Sequence, residues 1–120
     1  LKEAGLSKKA KIALLGLSYK ENIGDLRESP CLKIVEILKK RNFNLKVFDP
    51  FVKELSNAKN FKDSIKDAEA IIVCTAHKEF LGLPGMLKGN KKVKVIVDGM
   101  NKLDKKAILD LGIIYKGIGR

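Results

Sequence analysis

The sequence predicts an α/β fold, a parallel sheet with helices on both faces in a single domain, and three observations lead there. Short apolar runs alternate with helical patterns along the chain. The runs are almost continuously apolar, as in strands that are covered on both sides. The length, 120 residues, suits one core. Such a series gives right-handed crossovers and hence a Rossmann-like sheet. With 45% hydrophobic residues and only three prolines, the chain has enough apolar surface to fold.

Residues 1–10, LKEAGLSKKA, read as a linker or helix tail, and residues 11–120 as the domain. The chain opens on Leu1 rather than Met, so it is expected to be one domain of a longer protein. The first strand is read in Lys11–Leu17, KIALLGL. A loop of about a dozen residues follows, against the roughly 2–6 typical of such connections. Ser29 as N-cap and Pro30 at the first helical position then start a helix. Its buried stripe is Cys31, Ile34, Val35 and Leu38, while Lys33, Glu36, Lys39 and Lys40 face outward. The second strand is Asn44–Pro50, followed by a helix over Phe61–Lys66 and a third strand over Ala70–Ala76. Lys78–Leu87 reads as a loop with a short helix interrupted by Gly82, Pro84 and Gly85. A fourth strand, Val93–Gly99, precedes a helix over Asp104–Leu111 capped by Asp104. The chain closes on the apolar stretch IIYKGIG.

The net charge of +11 raises nucleic acid as a partner, because cations on phosphates gain from counterion release. The distribution argues against it. Lysines are dispersed from Lys2 to Lys116, arginine occurs only at 27, 41 and 120, and aromatic residues make up 6%. A solvated lysine surface is the expected reading, with no nucleic-acid partner. No apolar run approaches the ~20 residues needed to cross a bilayer, and the N-terminus lacks a signal-peptide core. A cytoplasmic protein with no membrane partner is expected.

Cys31 and Cys74 lack CxxC spacing, so neither a disulfide framework nor a metal site is indicated. Cys31 falls in the first turn of a helix, where a thiol pKa can drop. The sole histidine, His77, is distant in sequence, and both cysteines read as core residues.

Ligands of open α/β sheets sit beyond the carboxyl ends of the strands. The long first loop, GLSYKENIGDLRESP, lies there and carries Tyr19, Lys20, Asp25, Arg27 and Glu28. Lys20 could serve as a point charge for an anion and Arg27 as a planar fork. The alternatives are a solvated Lys20 and an Arg27 that pairs with Asp25 or Glu28. After Gly16 the glycines of a dinucleotide fingerprint are missing, which argues against a self-contained NAD site. Asp49 reads as a turn residue with Pro50 rather than a ribose ligand. His77, without a recognised acid or nucleophile beside it, reads as a loop or core residue.

Several motifs occur in order: Tyr19-Lys20, then Asp25-Leu26-Arg27-Glu28-Ser29-Pro30, Asp49-Pro50, Asp98-Gly99 and the Tyr115–Gly119 tail. Over nearly the whole chain they resemble the C-terminal domain of the UDP-glucose/GDP-mannose dehydrogenase family. The resemblance implies an NAD-dependent enzyme that oxidises C6 of a nucleotide sugar twice, from alcohol to uronic acid. It implies that this chain binds the substrate nucleotide, through Tyr19 and Lys20. Arg27 would reach NAD held by an N-terminal domain, and the nucleophilic cysteine would lie upstream, leaving no catalytic residue here. A homodimer of the full-length protein is also implied. The His77-x-x-Phe80 form resembles members acting on UDP-N-acetylhexosamines, UDP-N-acetylmannosamine foremost. Met100 departs from the pattern, standing where the family often has a substrate-contacting Arg.

Overall fold

Residues 11–17, 30–41, 43–52, 55–75, 77–88, 92–99 and 103–117 are those that the computed structural model describes. Strands β1 (Lys11–Leu15), β2 (Asn44–Phe48), β3 (Ala70–Val73), β4 (Val95–Asp98) and β5 (Ile114–Gly117) form one sheet in the order β2-β1-β3-β4-β5. All neighbours pair in parallel. Helices α1 (Pro30–Lys40), α2 (Phe61–Ile65), α3 (Leu83–Met86) and α4 (Lys105–Asp110) fill the connections, with a 3-10 turn over Lys78–Gly82 before α3. This is the doubly wound α/β architecture expected from the alternating pattern.

Successive side chains on a strand point to opposite faces, and here both faces are covered. Ala13, Leu15, Ile71, Val73 and Ile96 join Phe61, Ile65, Leu83 and Ile108 in one core, under α2, α3 and α4. Ile12, Leu14, Leu45, Val47 and Val95 form the other, with Leu38 buried and Ile34 and Val35 partly buried on α1. The stripe read on that helix is therefore the one that packs. The caps also agree with the residue types: the Asp104 carboxylate accepts the Ala107 amide at 3.1 Å, and Asn60 accepts the Asp63 amide at 2.8 Å.

The strands stop short of their expected ends. β1 ends at Leu15 because Gly16 adopts φ +94°, a left-handed conformation that breaks the ladder. β2 ends at Phe48 because the Asp49 side chain turns back to accept the Phe51 amide. Pro84 and Gly85 do not interrupt a helix. They lie inside α3, with Pro84 in the first turn, where its missing N–H costs no hydrogen bond.

The cysteines require the larger correction. Cys31 and Cys74 form a disulfide, with Cα atoms 5.8 Å apart. Cys31, in the first turn of α1, is brought over the residue that follows β3 because α1 packs on the face to which Cys74 also turns. The bond spans 43 positions, and no short-range spacing signals a contact made by a crossover.

Candidate functional site

In this strand order the chain winds outward from β1 in two directions. It crosses by α1 to β2 on one face, and by α2 to β3 and beyond on the other. The carboxyl ends of β1 and β3 therefore flank the topological switch point, where open α/β sheets form their ligand crevice. Main-chain groups that follow β1, β2 and β3 meet at that end of the sheet. The Leu15 carbonyl accepts the Cys74 amide at 2.9 Å, and the Gly16 amide donates to the Phe48 carbonyl at 2.9 Å. A Cβ on Gly16 would lie 2.6 Å from both the Thr75 nitrogen and its carbonyl oxygen. This glycine thus serves the close approach of two backbones.

Two buried acids at strand ends brace the loops around the crevice. Asp49, fully buried, accepts the Leu17 amide on Oδ2 at 2.7 Å, His77 Nε2 on the same oxygen at 2.8 Å, and the Phe51 amide on Oδ1 at 2.8 Å. Burial pushes its carboxyl up. Against that, the hydrogen bond from His77, those from Leu17 and Phe51, and the His77 charge together bring it down to about 2. The carboxylate is thus ionised and acceptor-only, which requires the proton on His77 Nε2. The imidazole is itself buried and lies against the rings of Phe51, at 4.8 Å, and Phe80, at 5.6 Å. Asp98, at the end of β4, is the second brace: its Oδ2 accepts the Tyr115 hydroxyl at 2.8 Å and the Leu103 amide at 2.9 Å.

Tyr19, Lys20 and Arg27, with Ser29 and Met100, lie outside the described residues. Both flanks of the segment that carries the first three are described. It departs from Leu17, held by Asp49, and returns at Pro30, one residue before the disulfide-bonded Cys31. Asp49 is a turn residue as expected, but it is also His77's acid partner, which the sequence reading did not supply. His77 and Phe80, read as a marker of substrate class, are both wholly buried. They pack and brace rather than line an open surface. The Asp98–Tyr115 bond was also unforeseen, although a signal exists: Tyr115 is in register with Ile96, two residues before Asp98 on the same face. Among the described residues no three of His, Cys, Asp and Glu gather as metal ligands, and no helix is long and apolar enough to cross a membrane.

Comparison with known proteins agrees with this geometry. Residues 13–105 match the family described as UDP-glucose/GDP-mannose dehydrogenase family, UDP binding domain. The chain is 34% identical over 110 residues to a UDP-N-acetyl-D-mannosamine dehydrogenase of Pyrococcus horikoshii, covering 91% of this chain and 25% of that protein. It is 30% identical over 120 residues to a UDP-glucose 6-dehydrogenase of Rhizobium meliloti, covering 92% of this chain and 28% of the relative. The crystal structure of an NDP-N-acetyl-D-galactosaminuronic acid dehydrogenase from Methanosarcina mazei superposes with a TM-score of 0.88 at 28% identity, over all of this chain and 27% of that one. The chain thus spans about a quarter of the length of the relatives it matches.

Proposed function

The chain belongs to the UDP-glucose/GDP-mannose dehydrogenase family, as its UDP-binding domain, and from that premise we propose that it holds the nucleotide of a UDP-N-acetylhexosamine, UDP-N-acetylmannosamine foremost, for NAD-dependent oxidation at C6. One observation carries the reading. Leu17, the residue that leads into the segment with Tyr19-Lys20 and Asp25-Leu26-Arg27-Glu28-Ser29-Pro30, is held by Asp49 at the carboxyl end of β1, beside the switch point where this topology binds ligands.

Tyr19 stacks on or hydrogen-bonds the nucleotide sugar, and Lys20 supplies a cation to its diphosphate. Arg27 reaches toward NAD held by another domain of the longer protein. NAD supplies the hydride acceptor. This chain's part is to hold and orient the nucleotide sugar. Residues 11–120 act as the nucleotide-binding unit, residues 1–10 as its linker, and turnover is absent from this chain alone. The full-length protein is proposed to be a cytoplasmic homodimer without nucleic-acid or membrane partners. UDP-glucose is the second reading for the substrate, favoured by the 30% identity to a UDP-glucose enzyme.

The test is a residue-resolved NMR titration of this chain with millimolar UDP, then GDP, then a short DNA duplex. Shifts focused on Tyr19, Lys20 and their neighbours with UDP, weak with GDP and absent with DNA, are expected. The shifts are expected to be lost in a Tyr19→Ala/Lys20→Ala variant. Diffuse shifts from DNA that vanish with salt would replace the reading by a basic binding module.

A further inference from the structure

A buried carboxylate is expensive, because its charge is taken out of water, and Asp49 is the more notable for where its hydrogen bonds go. Among the described residues its side chain accepts from three different places: Leu17 beyond β1, Phe51 beyond β2 and His77 beyond β3. A turn residue needs only the second of these. The bond to Leu17 falls on the last described amide before the segment 18–29, two residues ahead of Tyr19. Asp49 therefore holds the amide from which the chain enters that segment.

His77 sets Asp49 in turn. Its ring lies against Phe51 and Phe80, and its amide donates to the Thr75 carbonyl at 3.0 Å, so Nε2 is presented to the carboxylate from a packed position. Because Nε2 and the Leu17 amide share Oδ2, the imidazole fixes the orientation of the oxygen that holds Leu17. Neutral packing would fill the same space without this orientation.

We propose that Asp49 and His77 are a positioning pair for nucleotide binding, acting through the Leu17 amide on the segment that carries Tyr19 and Lys20; this rests on the functional reading above. Neither residue touches the nucleotide. His77→Phe keeps an aromatic ring but removes the donor, whereas His77→Gln restores a donor at a similar reach. Asp49→Asn is isosteric, yet its single oxygen serves either Phe51 or Leu17, and its amide then faces the other N–H group.

The experiment combines UDP titration of this chain with amide hydrogen exchange. Loss of one charge-assisted hydrogen bond corresponds to about tenfold. His77→Phe is therefore expected to weaken UDP binding by that factor and to speed Leu17 exchange by a similar one. The protection of Leu14 and Ile71, inside the strands, should change little, and His77→Gln should recover most of the UDP affinity. If His77→Phe fails to fold, Asp49→Asn carries the same expectation. Equal UDP affinity and equal Leu17 exchange in the native and variant chains would overturn the pair while leaving the functional reading intact. A uniform loss of protection across the strands, with no recovery by His77→Gln, would reduce it to core packing. A native chain that takes up no UDP would overturn both readings together.

Discussion

Reduction of the Cys31–Cys74 bridge is expected to lower the stability of the fold by an amount that follows from its position. The bond joins residues 43 apart. In the chain-entropy account a cross-link removes about 2.1 + 1.5R ln n cal/mol/K from the unfolded ensemble. For n near 43 that is about 13 cal/mol/K, or about 4 kcal/mol at 25 °C. The folded state returns little of this, since Cys31 is 2% exposed and a buried thiol packs as a small apolar group. A chain of 120 residues has an unfolding entropy of roughly 250 cal/mol/K, so Tm should fall by about 16 °C. The assay is urea and thermal unfolding by circular dichroism with and without excess dithiothreitol, with a Cys31→Ala/Cys74→Ala chain as the permanently open control. The urea slope should rise on reduction, because the uncrosslinked unfolded chain exposes more surface. Two reactive thiols in the unreduced folded chain, or a loss on reduction below about 1 kcal/mol against the expected range, would refute the reasoning. The same thiol count, made after rapid alkylation in cells, also measures the compartment, since reducing cytoplasm disfavours such bonds in most organisms.

Three further outcomes are expected. The Asp49 carboxyl is lowered from 3.8 to about 2, so the unfolded chain takes up its proton first as pH falls. The stability from this group is complete above about pH 4 and is lost toward pH 2, an amount of about 2 kcal/mol; acid-induced unfolding of Asp49→Asn should be flatter across that window. Gly16→Ala places a Cβ 2.6 Å from the Thr75 backbone at φ +94°, and the combined strain and overlap should cost at least about 3 kcal/mol by urea denaturation. Tyr115→Phe removes the 2.8 Å donor to buried Asp98 and should cost about 1.5–3 kcal/mol, with faster exchange of the Leu103 amide as the local readout.

Sheet, helices and crevice were legible because local patterns specify them. Continuous apolar runs such as AIIV mark strands buried on both sides, and Ser29-Pro30 with the stripe from Cys31 to Leu38 marks the helix after the long loop. What escaped is what depends on crossovers. The Cys31–Cys74 bond, the Asp49–His77 pair and the Asp98–Tyr115 bond join positions 43, 28 and 17 residues apart. In each case one partner sits at or just beyond a strand end, where the parallel order of the sheet, and no local spacing, decides who meets whom. The His77-x-x-Phe80 motif shows the same limit from the other side. The motif was visible, but its burial, and so its manner of acting, belongs to the packing of Phe51 and Phe80 around the imidazole.

The contact between Gly16 and Thr75 bears on how such a domain can change over evolutionary time. Where Gly16 meets Thr75 the crevice has no room for a new side chain on the glycine. Depth and shape at the centre of the crevice are therefore inherited with the fold. Variation is left to the rims, chiefly the segments that leave from Leu17 and end at Leu103. Grafting residues 18–29 between relatives therefore changes a rim without redesigning the sheet, and is a direct way to probe the proposed nucleotide preference.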